Sequence, residues 1–372
     1  MRTFNWVRLA AVLCCAVVFL AAGLAGLSQA QEKDWDKALA DLVAAARKEG
    51  KVVVKAPPNP DARVEIPAKF RERFGITVEY LAGRSSEQAE KLRLERAAGF
   101  YTTDVLLGGI QTLSTVLYRE GMLDRLKPML IWPEAIDPSK WKNGTLPFAD
   151  PDGSYVLRLF SYVDPLIYIN TQHVKREELT STRDLLHPKW KGKIAVLDPT
   201  VAGSGGNTAA QFYLQFGEGF VKQFYLQQQP AVSRDSRQIA DWLARGTHPI
   251  TPDASSAVER MLSDGFPIGA IYSLSDAAGS LSAGNGHLAV FSRAPHPNAA
   301  RLFVNWMASR EGVGLYARAL MAPSTRTDVD ESFLDPRKIP RPGVRYFDGA
   351  VWDYNVQQRE QAQLRVKELL RR

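Results

Sequence analysis

The sequence predicts an α/β fold with largely parallel sheets, arranged as two domains or one large one. Three observations carry this. Short apolar runs alternate with amphipathic stretches in units of about thirty residues, the signature of strand–helix repeats. Hydrophobic residues make up 45% and charged residues 23% of the chain, an ordinary globular mix. The length of 372 residues suits two domains. Disorder, collagen and a disulfide scaffold are thereby excluded, the last because the two cysteines, Cys14 and Cys15, are neighbours.

Arg2 and Arg8 precede an apolar run, Leu9–Leu27, followed by Ser28, Gln29 and Ala30. A basic start, an apolar middle and a small-residue end describe a secretory signal peptide, with cleavage expected after Ala30. An uncleaved anchor is the rival reading, since nineteen apolar residues can span a bilayer. Cys14 and Cys15 lack a preceding small residue of the lipoprotein kind, so no lipid anchor is expected. Cleavage removes both cysteines and lowers the formal charge from +7 to +5, by the loss of Arg2 and Arg8. That mild excess of base suits an anionic small ligand or membrane surface. It is too dispersed for nucleic acid, which calls for a clustered basic face.

Trp35–Gly50 has helical apolar spacing and a glycine stop. KVVVKA (51–56) follows as a buried strand, then a helix through IPAKFRERFG and a strand, ITVEYLAG. Ser85 and Gln88 spell a capping box for a helix to Arg96. TTDVLLGG and SYVDPLIYIN read as strands, the second broken at Pro165. IAVLD (194–198) is a strand, and GSGGNTAAQFYLQFGEG is a glycine-rich turn feeding a helix. In that helix Phe212, Tyr213 and Phe216 have core spacing. Asp235 and Gln238 spell a second capping box. SAVERMLSDG reads as a helix, FPIGAIYS as a strand, HPNAARLFVNWMAS as an amphipathic helix and VQQREQAQLRVKELLRR as a polar terminal helix, docked or frayed.

Catalytic signatures are weak. No Walker A loop and no G-x-G-x-x-G after a strand occurs, and none of the five histidines has H-x-x-x-H spacing, so no zinc site is expected. AGSGG around Ser204 is an imperfect nucleophile elbow, because its strand ends at Asp198 with residues intervening. The stretch Ser204, Gly205, Gly206 and Asn207 reads better as an anion seat at a helix start, where free N–H groups and the positive dipole end point outward. Arg84, Ser85 and Ser86 offer a second seat. Plain helix capping accounts for either pattern equally. Arg237 lies in a first helical turn, where the dipole disfavours a cation, and is a candidate anion partner or a solvated surface residue. Tyr272 ends its strand at the carboxyl edge, where α/β sheets place ligands, or else it is a core tyrosine.

Four stretches, EGKVVV, FRERFGITVEYLAGRSSE, DLLHPKWKGKIAVLDPTVAGSGG and APHPNAARLFVNWMASREG, occur in the order found in the extracellular solute-binding proteins of ABC importers. The chain resembles this family, in the group that contains the ferric-iron binding proteins. The resemblance implies a two-lobed periplasmic-binding-protein architecture: a mixed sheet flanked by helices in each lobe, hinge strands between, and ligand in the cleft. It divides the chain into a signal peptide (1–30), lobe 1 (31–164), lobe 2 (165–289), a return to lobe 1 (290–325) and a C-terminal helical segment (326–372). PLIYIN resembles the outbound hinge strand and LAVFSRAP the return. The implied cleft is lined by Asn59, by Arg84–Ser86, by Asp164, by Ser204–Asn207, and by Tyr272 and Ser273. One departure bears on the ligand. Ferric binders of the group carry adjacent tyrosines here, whereas this chain reads IYSLSD, with Tyr272 alone. Serine, glycine, asparagine and arginine remain, which is the chemistry of carboxylate or phosphonate binding.

The expectation is therefore a monomeric, non-enzymatic binding protein without cofactor or resident metal. It captures a small anionic ligand by hinge closure for an inner-membrane permease. Iron or chelated iron is the alternative cargo, and a secreted serine hydrolase the second alternative.

Overall fold

The computed structural model describes residues 35–83, 85–201, 203–253 and 255–371. The expected signal peptide and Arg84 lie outside them. Helix α1 (35–49) ends at Gly50, whose φ of 76° is the left-handed stop a glycine supplies. Strand β1 (Lys51–Ala56) leads through Asn59 into α2 (Pro60–Phe74). Asn59 caps α2 by accepting the Ala62 N–H, and Pro60 takes the first helical position, where no donor is needed. The helix thus opens earlier than the apolar spacing suggests. β2 (Thr77–Ala82), α3 (Ser85–Ala97) and β3 (Val105–Gly108) follow. Gln88 makes no capping box; its amide donates to the Leu81 carbonyl at 2.7 Å, tying α3 back to β2.

Lobe 1 is built on a sheet of order β2-β1-β3-β13-β4, with β5 (Leu157–Arg158) also on β13. β4 is Leu123–Asp124 and β13 is His287–Phe291. β1 pairs parallel with β2 and β3, while β13 runs antiparallel to β3. Phe70 of α2 packs edge-on against Phe303 and Trp306, at 5.3 Å each, inside this lobe's core.

The chain leaves lobe 1 through β6 (Tyr162–Asp164), breaks at Pro165 and continues as β7 (Ile167–Asn170). Lobe 2 pairs β8 (Ala195–Leu197) with β9 (Ala231–Ser233) in parallel, and orders β10 (Ile250–Thr251), β7 and β11 (Ile268–Ile271) in a second sheet. A bridge between Ile194 and Ile250 joins the two. Helix α4 (Ser204–Lys222) covers one face with Phe212 and Phe220. Helices α5 (Ser236–Arg245) and α6 (Ser256–Ser263) cover the other, where Tyr168, Leu243 and Val258 meet. The second expected capping box is also absent: Asp235 accepts the Arg237 N–H, but Gln238 accepts from the Ser233 hydroxyl instead.

The return crossing is β12 (Ser280–Ser282), antiparallel to β6, with β14 (Phe347–Asp348) added in parallel as a third hinge strand. The return expected at LAVFSRAP therefore lies earlier. β13 carries that motif and is already inside the lobe 1 sheet, because its continuous apolar run suits a central strand buried on both faces. Helices α7 (Pro297–Met307) and α8 (Arg310–Leu320) then complete lobe 1. The terminal helix α9 (Arg359–Leu370) docks on lobe 2, with Ala362 and Val366 buried. Among the described residues no helix is long and apolar enough to cross a membrane.

Asp104 holds lobe 1 together. Its fully buried carboxylate accepts the Val53 N–H at 2.7 Å and the His296 N–H at 2.7 Å, and lies 2.9 Å from His296 Nδ1. Asp104→Ala would strand buried donors from two distant segments, at a cost on the order of 3–5 kcal/mol. A urea unfolding midpoint within error of wild type would contradict this.

Candidate functional site

The predicted site residues fall into separate groups. Asp164 and Tyr272 converge at the hinge. Gly279 makes this convergence possible: a Cβ there would meet the Asp164 carbonyl oxygen at 2.4 Å and the Tyr272 oxygen at 3.2 Å, so no side chain fits. Asp164 is flanked by Glu259 of α6 and by Lys338, which binds Glu259 at 2.8 Å. The Tyr168 hydroxyl donates to the same Glu259 carboxylate. Burial, reinforced by the Glu259 charge, lifts Asp164 to about 7. Burial likewise pushes the Tyr272 phenol well up, and among the described residues its buried hydroxyl has no hydrogen-bond partner.

Beside this corner lies a cavity of about 740 Å³ along the edge strand β11, closed on its far side by Pro336, Arg337 and Arg341. Tyr272 and Ser273 line it. So do four bases, Lys175, Arg176, Arg337 and Arg341, against one acid, Glu177. Arg176 is held by the Ser273 carbonyl at 2.8 Å. Arg337 grips Asp335 at 2.7 Å and lies 5.2 Å over the Tyr272 ring. Among the described residues, Lys175 and Arg341 are in no ion pair, so their charges are available. None of these bases figured among the predicted residues. The spacing of Arg337, Lys338, Arg341 and Arg345 in the proline-containing tail is a sequence signal for Arg337 and Arg341 only.

Ser204–Asn207 stands apart from this cavity. Gly205 and Gly206 are buried because a Cβ would meet the Leu197 oxygen at 2.5 Å or the Val201 oxygen at 2.4 Å. The glycines thus serve close packing of α4 on the end of β8. The helix cap is Gly203, and Ser204 is the exposed first helical residue. Asp253 braces this end from below. It accepts the Leu197 N–H at 2.6 Å and a Thr208 side-chain bond, and burial lifts it to about 6. The amide oxygen of Asn207 is already engaged, accepting the Tyr354 hydroxyl at 2.5 Å from the C-terminal segment.

The remaining residues are less concentrated. Asn59 is spent as a cap, and its amide donates to the Ala319 carbonyl at 3.1 Å. Ser85 and Ser86 open α3. Arg237 is exposed, with only its backbone bonded to Asp235. Among the described residues, no group of three or more histidine, cysteine, aspartate or glutamate side chains is placed to hold a metal.

Two lobes joined by paired crossing strands, with a cavity lined mainly by bases at the hinge end of lobe 2, agree with the family comparison. Residues 56–314 fit the bacterial extracellular solute-binding protein family. The chain belongs to this family. Solved structures of similar fold are periplasmic binding proteins. The ferric ion-binding protein A of Pasteurella haemolytica, without metal, superposes with a TM-score of 0.66 at 15% identity, over 86% of this chain and 98% of its own. Iron-bound HitA of Pseudomonas aeruginosa gives 0.62 at 15%, over 86% and 99%. AfuA of Actinobacillus pleuropneumoniae, with fructose-6-phosphate bound, gives 0.59 at 18%, over 86% and 97%. No curated protein matches the chain. At these identities the likeness is one of fold, and it spans binders of a metal and of a sugar phosphate.

The raised Asp164 sets the sign of a pH effect on this solute-binding protein. The folded state keeps a proton that the unfolded chain releases near 3.8, so stability falls as pH rises from about 4 to about 7 and levels off above. Asp164→Asn removes that titration. Between about pH 5 and about pH 8, wild type should lose more melting temperature than Asp164→Asn. Equal losses in the two proteins would show that Asp164 titrates normally.

Proposed function

We propose that the protein is the periplasmic binding component of an ABC importer, capturing a small anionic organic ligand at the hinge end of lobe 2. The single observation that carries the ligand class is the cavity beside Tyr272 and Ser273, where four bases face one acid. A carboxylate or phosphate entering it would meet Lys175 and Arg341 without displacing an existing ion pair. Closure about the two crossings, Tyr162–Asp164 and Ser280–Ser282, would then favour the liganded form by differential affinity. No covalent step is involved. A signal peptide over residues 1–30 fits export, and a monomer presenting closed lobes to a permease fits the family.

A second reading has its own support. The unpartnered Tyr272 hydroxyl lies near the Asp164 and Glu259 carboxylates, all hard oxygen donors, and two of the fold neighbours are ferric binders. Iron carried as an anionic chelate would also suit the basic lining.

A thermal-shift panel separates these readings. A ligand at 100 times its dissociation constant stabilises by about 2.7 kcal/mol, a shift of a few degrees. Organic phosphates or carboxylates should raise the melting temperature, and Arg341→Glu combined with Lys175→Glu should abolish the shift. Stabilisation by ferric salts alone, with a visible tyrosinate absorption lost in Tyr272→Phe, would replace the anion reading with the iron one.

A further inference from the structure

A second cavity, of about 680 Å³, lies on lobe 1 between α3 and the loops that flank β3, β4 and β13. Its charged lining divides in two. Arg93 is spent on Glu120 at 2.7 Å and on Glu90 at 3.3 Å. Arg96 and Arg293 have no carboxylate partner among the described residues. Both sit over the same ring instead: the Arg96 guanidinium is 5.3 Å from the centre of Tyr101, and that of Arg293 is 4.9 Å. Like charges gathered on one ring repel, so their proximity costs free energy unless an anion joins them.

The arrangement is nonetheless held in place. Arg96 donates to the Ser292 hydroxyl at 2.9 Å and to the Ser292 carbonyl at 2.8 Å, and its buried Nε–H has no acceptor among the described residues. Arg293 donates to the Tyr101 hydroxyl at 2.5 Å from a backbone with φ of 58°, a left-handed conformation unusual for a residue with a Cβ. Strained backbone of this kind persists where surrounding structure enforces it, and it gathers at binding sites. Leu94, 66% exposed, gives the cavity an apolar wall.

We propose that this cavity, with Tyr101 between Arg96 and Arg293, is a second ligand site for an organic oxyanion: a carboxylate or phosphate group on a small apolar body. The oxyanion bridges the two guanidiniums, and the apolar body lies against Leu94. The site shares no residue with the hinge-end cavity, so the two readings stand or fall separately.

The test uses the full chain, phenyl phosphate as probe and inorganic phosphate as control. Titration should move the Arg96 and Arg293 Nε–H resonances saturably, with phenyl phosphate binding several-fold tighter than inorganic phosphate. Arg293→Gly removes the guanidinium and suits the positive φ, so its melting temperature should hold or rise. Its affinity for phenyl phosphate at this site should fall by roughly tenfold or more, the scale of one lost charge-assisted bond. Arg341→Glu should leave these two resonances and their titration unchanged. Resonances that do not titrate, affinity unchanged in Arg293→Gly, or binding lost in Arg341→Glu would each overturn the site. Equal affinity for the two phosphates would overturn the apolar body.

Discussion

The Asp104 carboxylate gathers backbone and side-chain donors from Val53 and His296, positions that lie on either side of the whole of lobe 2 in the chain. Its own carbonyl accepts the Phe291 N–H at 2.9 Å, fixing the end of β13 as well. The first strand, the strand that follows it in the sheet and the returning chain are thus registered on one buried residue. Lobe 2 is an insertion between the outgoing strands of this sheet and β13, so both of its ends must lead back to this place. The paired crossings β6 and β12 are the geometric consequence, and the convergence of Asp164 and Tyr272 follows from the crossings.

Much of this was legible because it depends on local pattern. Apolar runs such as KVVVKA and the broken SYVDPLIYIN gave strands where the chain has them, and Gly50 ended its helix for the stated conformational reason. The capping boxes were misread for a physical reason: Gln88 and Gln238 have longer-range partners in Leu81 and Ser233, which compete with the local bond. The misplaced return crossing has a similar origin. A continuous apolar strand looks the same whether it crosses between lobes or fills the centre of a sheet, and only pairing decides.

The site was less legible than the fold. Tyr272 was singled out from its place at a strand end and Ser273 from the family resemblance, but the bases that line the cavity beside them come from Lys175–Arg176 and from a tail over sixty residues beyond Tyr272. Nothing local links those segments. The glycines after Gly203 show the opposite failure: a pattern that reads as an anion seat is explained by two carbonyl oxygens at contact distance. Composition alone cannot separate a glycine that admits a ligand from one that admits its own backbone.

The C-terminal segment runs across the whole molecule. β14 joins the hinge sheet, Asp348 pairs with Arg158 at 3.1 Å, Trp352 packs 4.8 Å from Tyr118 of lobe 1, and α9 seals the core of lobe 2 with Val366. Both lobes therefore draw on residues beyond 340 to finish their packing. A chain emerging from a ribosome or a translocation pore N-terminus first can register Asp104 only after residue 296 has appeared. It can bury Phe212 and Phe220 beneath α9 only after residue 370. Until then the core of lobe 2 lacks the cover that α9 gives it, although its strands and α4 are already complete.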